Sequence, residues 1–168
     1  MSLPIQDQDP AARTTATRRP TVLPPRALVA IFRAPDGQHF EQASEVLCQA
    51  GVTCHEYTLT TEGALRALVG ARRRLDGAVL GVGSVRTVDD LRAAAEAGAD
   101  FAVSQVVLPE LIDAADELGL CYTPGALTPT EVISAWNRGV PAVKLSPVGP
   151  LGGPEYFREL LVPEHRYA

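Results

Sequence analysis

Residues 52–82 read VTCHEYTL, TTEGALRALVGARRRLD and GAVLGV in succession, and this stretch decides the fold class. If Val52–Leu59 is extended, Cys54, Glu56 and Thr58 share one face, and His55 and Tyr57 share the other. The middle part carries Leu65, Leu68 and Val69 at helical spacing. It closes on Arg72-Arg73-Arg74, where positive charge suits the carboxyl end of a helix and a solvated terminus is expected. Gly77–Val82 is apolar on both faces. A strand, a helix and a strand with two apolar faces make a parallel βαβ unit.

The alternation continues in both directions. Apolar runs begin at Ala27 (ALVAIF), Asp100 (DFAVS), Leu120 (LCYTP) and Val140 (VPAVKLS). Between them, Phe40, Ala43, Leu47 and Ala50 share a helix face, as do Leu108, Leu111, Ile112, Ala115 and Leu118. Thr128-Pro129-Thr130-Glu131 and, less strongly, Thr87 with Asp90 read as capping boxes. Gly51, Gly98, Gly119 and Gly139 stand where left-handed helix ends are wanted. Six βα units are expected, spaced roughly 20–25 residues apart. An open doubly wound sheet and a (β/α)8 barrel both fit. In either, functional groups gather at the carboxyl ends of the strands. Residues 1–26 have scattered prolines and no period, so a disordered tail is expected before a single domain over residues 27–168.

Composition narrows the function classes. Of 168 residues, 46% are apolar and 21% charged, enough for one core. The net charge of −5 argues against a nucleic-acid partner. No apolar stretch approaches the ~18 residues of a membrane span, so no membrane partner is expected. Cys48, Cys54 and Cys121 are odd in number and lack metal-type spacing, which suggests reduced thiols and a cytoplasmic protein. His39, His55 and His165 form no ligand-like cluster with them. Gly81-Val82-Gly83 lacks the third glycine of a dinucleotide fingerprint, so NAD binding is rejected. Fourteen of the fifteen basic residues are arginine. Codon bias explains that, but it makes the one lysine, Lys144, informative, because arginine cannot replace a neutral amine.

The expected strand ends bring Arg33, Glu56, Thr58, Gly83, Ser84, Ser104, Thr123, Pro124, Gly125 and Lys144 to one mouth. By strand alternation Lys144 shares a face with the small residues Ala142 and Ser146, which leaves room for a ligand beside the amine. Burial there would favour the neutral, nucleophilic form. A snorkelling or salt-bridged lysine fits the same spacing. Glu56 in a strand is costly unless paired or used, either in an ion pair with Arg33 or as a general acid/base beside Lys144.

Read together, five segments resemble the 2-keto-3-deoxy-6-phosphogluconate (KDPG) and 4-hydroxy-2-oxoglutarate (KHG) aldolases, from about Leu28 to Glu159. They are AGVTCHEYTLTT (50–61), GVGSV (81–85), AGADFAVS (97–104), PGALTPTE (124–131) and VKLSP (143–147). The resemblance implies a (β/α)8 TIM barrel, usually a homotrimer, with no metal or organic cofactor. It implies a Schiff-base lysine at Lys144 and a proton-shuttling Glu56 that cleave a 2-keto-3-deoxy sugar acid to pyruvate and an aldehyde such as glyceraldehyde 3-phosphate. It implies substrate contacts from Arg33, Thr58, Thr60, Ser84, Ser104, Pro124, Gly125 and Thr128. Thr60 stands where many relatives carry an arginine, and Arg33 is expected to supply that charge. Ser84 replaces a threonine, Gln105 a proline and Ser146 an aromatic residue. Two further βα units and their phosphate-gripping glycine loops belong to the family pattern, so the chain is expected to be a truncated piece of a longer protein. A non-catalytic protein that binds keto acids or sugar acids at the same mouth is the alternative.

Overall fold

A computed structural model describes residues 22–161. The tail expected over residues 1–26 therefore lies mostly outside the described residues, as do residues 162–168. The elements are β1 (Val29–Phe32), α1 (Phe40–Gln49), β2 (Cys54–Thr58), α2 (Ala64–Arg72), β3 (Val79–Val85), α3 (Val88–Glu96) and β4 (Phe101–Ser104). They continue with α4 (Pro109–Glu117), β5 (Cys121–Thr123), β6 (Gly125–Ala126), α5 (Pro129–Asn137), β7 (Lys144–Leu145), a 3-10 turn at Gly149–Leu151 and α6 (Pro154–Leu161).

These elements are the six expected βα units, with the fifth strand split at Pro124. Proline has no N–H for the ladder. The chain changes neighbours at that point: β5 pairs with β4, and β6 pairs with β7. All pairings are parallel, and the first sheet runs β1-β2-β3-β4-β5 in chain order. A doubly wound sheet reverses its order to place helices on both faces. Unreversed order with right-handed crossovers puts every helix on one face and turns the other inward. The architecture is thus the wall of a (β/α)8-type barrel, contributed here by six βα units.

The two faces pack differently. His55, Tyr57, Leu80, Val82, Ala102 and Tyr122 face the helices and are buried with Leu68, Leu91, Leu111 and Ile112. Each fully buried apolar side chain of that size contributes about 1.5–3 kcal/mol. Tyr57 stacks on Phe32 with ring centroids 5.2 Å apart, and its hydroxyl lies 2.6 Å from Ser44 Oγ on α1. The alternate residues, including Cys54, Glu56, Gly81, Gly83, Phe101 and Thr123, line the inner face. The Phe101 ring covers Gly81 so closely that a Cβ there would lie 2.5 Å from it. Both capping boxes form, and Gly51, Gly98, Gly119 and Gly139 take left-handed φ of 87°, 81°, 65° and 76°.

Arg72 corrects the sequence reading. It is not a solvated helix end but a half-buried staple. Its guanidinium donates to Ala78 O (3.1 Å), to Gly98 O (3.0 Å) and to the Asp100 carboxylate, which also accepts the Leu80 N–H at 2.8 Å. One planar fork thereby ties α2 to the start of β3 and to the turn before β4. Arg72→Met is expected to cost about 1–3 kcal/mol, because it strands Asp100 and two carbonyls. The same change at exposed Arg73 should stay within about 0.5 kcal/mol. Urea denaturation of the two variants checks the contrast.

Candidate active site

Glu56 on β2 faces β3, and the charges of Arg33, which follows β1, and Lys144, on β7, act on it. The last inward positions of β2 are Glu56 and Thr58, paired in register with Gly81 and Gly83 of β3. Glycine in a strand marks a close approach, and here the approach is the carboxylate: a Cβ on Gly83 would lie 1.8 Å from Glu56 Oε1. Glu56 is 4% exposed, and among the described residues no hydrogen bond or ion pair holds it. Burial pushes its carboxyl pKa above the ordinary carboxylate range, while the positive charges of Lys144 and Arg33 pull it back in part. The three side chains therefore act on one another through the mouth, although no ion pair closes between them. A carboxyl group left without a bonded partner can both give and take a proton.

Lys144 is half-buried on β7. Its backbone N–H donates to Pro124 O at 2.9 Å, and it pairs in register with Gly125. The strand switch at Pro124 thus seats the amine-bearing residue beside Pro124 and Gly125, both buried. A Cβ on Gly125 would lie 2.5 Å from the Gln105 carbonyl carbon, so glycine allows β6 to pack against the end of β4.

Ser84 has φ of 63°, a left-handed conformation that is rare for a residue with a side chain. It belongs to a bulge: between the pairs Val82–Ala102 and Val85–Ser104, β3 spends one residue more than β4. The bulge returns Val85 to the helix-side core and leaves Gly83 and Ser84 together at the strand end. Strain of this kind, about 1–3 kcal/mol, collects at functional sites.

Other hydroxyls named from the sequence are already engaged. Ser104 faces the helix layer; its Oγ donates to Val106 O at 2.7 Å and accepts from Tyr122 Oη at 2.7 Å. It fixes the turn after β4 and also accepts the Gly125 N–H at 3.4 Å, so its oxygen is engaged by the protein itself. Thr128 Oγ1 is bound to Glu131 in the α5 capping box and is exposed. The capping-box reading of that segment holds, and its hydroxyl is turned to the helix. Thr58 Oγ1 donates to Phe32 O at 2.8 Å. Thr60 is exposed on the β2–α2 loop and brings no charge.

The sequence places Gly83 and Thr123 at strand ends but gives neither a role. Gly83 is the seat of the Glu56 carboxylate, and a glycine opposite a strand carboxylate was the available signal. Thr123, 7% exposed and opposite Val103 on the inner face, has a buried Oγ1 without a hydrogen-bond partner. No sequence pattern distinguishes it from a core threonine. Gly83→Ala is expected to displace the Glu56 carboxylate, slow any proton transfer by about 10²-fold and leave the fold intact, as the misplacement of a reacting group by about 1 Å does. Single-turnover kinetics with circular dichroism as the folding control measures this.

Sequence comparison matches residues 21–166 to the family described as KDPG and KHG aldolase. The chain is 31% identical over 148 residues to the 2-dehydro-3-deoxy-phosphogluconate aldolase of Treponema pallidum, covering 88% of this chain and 68% of that protein. It is 32% identical over 133 residues to the probable 2-dehydro-3-deoxy-6-phosphogalactonate aldolase of Rhizobium meliloti, covering 77% and 63%. The crystal structure of the Zymomonas mobilis ZM4 2-keto-3-deoxy-6-phosphogluconate aldolase with 3-phosphoglycerate superimposes with a TM-score of 0.74, at 26% identity over 79% of this chain and 63% of that one. The chain thus spans about two thirds of the length of these relatives. With the barrel wall, the charged groups at the strand ends and the match over residues 21–166 in agreement, the chain belongs to the KDPG and KHG aldolase family.

Proposed function

We propose that this mouth carries out Schiff-base aldol cleavage of a 2-keto-3-deoxy sugar acid, releasing pyruvate and an aldehyde. The observation that carries the reading is the buried, unbonded Glu56 carboxyl lying in the electrostatic field of the chain's one lysine. A structural carboxylate would be paired or bonded; this one is left free for a reacting group.

The neutral Lys144 amine adds to the C2 ketone, and Glu56 delivers the proton that lets the C2 oxygen leave as water. The resulting iminium accepts the electron pair of the C3–C4 bond as that bond breaks. The ionised Glu56 takes the proton of the C4 hydroxyl as the aldehyde departs. Glu56 then gives that proton to C3 of the enamine, and water hydrolyses the iminium to pyruvate and the neutral amine, the proton released there returning to Glu56. Arg33 faces the substrate carboxylate, with Ser84 at the β3 bulge, Pro124 and Gly125 as wall, and the unpartnered Thr123 hydroxyl as a further donor.

The relatives are named for phosphogluconate and 6-phosphogalactonate derivatives, and we take the gluconate derivative as the substrate, with glyceraldehyde 3-phosphate as the aldehyde that the family resemblance implies. We place the protein in the cytoplasm as a homo-oligomer, a trimer by family resemblance. No helix among the described residues is long and apolar enough to cross a membrane.

The test is pyruvate release from 2-keto-3-deoxy-6-phosphogluconate, its unphosphorylated form and the galactonate epimer, followed by coupled reduction of pyruvate. Turnover of at least one supports the proposal. Calorimetric binding of these acids without turnover would favour a binding protein instead, a reading to which the uncharged Thr60 gives some support.

A further inference from the structure

We infer that Thr58 and Thr61 are positioning residues, a two-hydroxyl clamp that holds Arg33 at the mouth for the carboxylate of the keto acid. The identity of the ligand rests on the aldolase reading; the clamp itself rests on geometry.

The residues on either side of Arg33 are the ones held. Thr58 Oγ1 donates to Phe32 O at 2.8 Å, and the backbone N–H of Ala34 donates to Thr61 Oγ1 at 3.3 Å. The two hydroxyl oxygens are 3.1 Å apart. The proton inventory allows one direction only. Thr58 gives its hydrogen to Phe32 O, so Thr61 gives its own to Thr58 and accepts from Ala34. The chain runs from Ala34 N–H through Thr61 and Thr58 to Phe32 O, with each hydroxyl donating once and accepting once. Thr58 and Thr61 are 0% and 3% exposed, so neither oxygen has water to fall back on.

Two further links fix the same loop. Gly37 N–H donates to Glu62 O at 2.8 Å, and Asp36 forms a β-bridge with Glu62. The segment that carries Arg33 is thereby stitched to the β2–α2 loop, directly after the strand that carries Glu56. Arg33 itself is exposed, and a free arginine side chain has about 2 kcal/mol of rotamer entropy. Fixing its backbone on both sides limits the volume its guanidinium can search. Because Thr60 brings no charge, Arg33 and Lys144 are the cations that act on Glu56; the facing strand β3 presents only Gly81 and Gly83.

The experiment follows the Glu56 carboxyl by carbon-13 NMR titration in the 168-residue chain and in T61V, T61S, R33M and the R33M/T61V double variant. R33M is expected to raise the Glu56 midpoint, since a cation that favours the ionised form is gone. T61V should raise it in the same direction, T61S should match the parent chain, and the double variant should match R33M. An unchanged midpoint in T61V, or an equal shift whether or not Arg33 is present, overturns the clamp. Serine at 61 keeps the hydroxyl, so a T61V effect absent from T61S is not a general folding defect.

A second arm measures borohydride trapping of pyruvate, with half-saturation raised about tenfold in T61V and R33M, the scale of one charge-assisted contact, and unchanged in T61S. A parent chain that never traps pyruvate sinks the aldolase reading, while the NMR titration still decides the clamp.

Discussion

Lys144→Arg is expected to lower pyruvate release by about 10⁴-fold or more, the scale on which removal of a covalent nucleophile is felt. Arginine keeps the positive charge and nearly the length of lysine, but its guanidinium does not deprotonate in proteins and cannot add to a ketone. The fold should survive. β7 is held through its backbone, by Lys144 N–H to Pro124 O and Ser146 N–H to Ala126 O, and among the described residues the Lys144 side chain makes no hydrogen bond that the change would break. A variant that melts like the parent and retains a tenth of its turnover would remove Lys144 from the chemistry. Loss of turnover together with loss of the melting transition would call for Lys144→Met as the second variant, since β7 accepts an apolar chain of that length without a buried charge.

Glu56→Gln carries the second large effect, and it has two signs. Activity should fall about 10²–10⁴-fold, because the amide neither takes nor gives the proton. Stability should rise at neutral pH. The native carboxyl pKa is raised above that of the unfolded chain, chiefly by burial, with Lys144 and Arg33 opposing. The folded state therefore holds the proton more tightly, and folding stability falls as pH climbs from the unfolded pKa through the folded one. Above that window the buried carboxylate is a standing cost, and the neutral isostere removes it. Each kcal/mol so gained raises Tm by about 2–4 °C in a chain of this size. At acid pH, with Glu56 protonated in both states, the advantage should vanish. Thermal melts of parent and variant across that range check the sign; a variant less stable at neutral pH would mean that Glu56 is a structural ion-pair partner after all.

Much of the fold was legible because it is local. Hydrophobic period, capping boxes and positive-φ glycines each lie within a dozen residues, and they mark the six βα units. The choice between barrel and open sheet was not legible, because it depends on which strands become neighbours, and that is settled by long-range pairing. The split of the fifth strand turns on Pro124, whose missing N–H reads equally well as a strand end. Arg72 was misread for a related reason: its partners, Ala78, Gly98 and Asp100, lie across other elements, and a triple arginine looks the same with or without them.

The site divides along the same line. Glu56, Lys144 and Arg33 stand out as charged groups at apolar strand ends, where a charge needs a reason. Hydroxyls carry no such mark. Ser104, Thr58 and Thr128 all sit at strand or loop ends and all belong to the motifs, yet their oxygens serve Tyr122 and Val106, Phe32, and Glu131 respectively. Thr123, in a position with no motif value, is the one whose buried oxygen is unpartnered. Whether a hydroxyl meets the backbone or a ligand depends on the parity of its strand and on the bulge at Ser84, neither of which a linear pattern states.

The account stands on a covalent bond between Lys144 and a 2-keto acid. Borohydride reduction of the folded chain with pyruvate, followed by proteolysis and tandem mass spectrometry, measures that bond directly. The reduced adduct should be found on the peptide bearing Lys144, and should form more slowly in Glu56→Gln. A folded chain that yields no adduct, or one that carries it only on the terminal amine, would contradict the account.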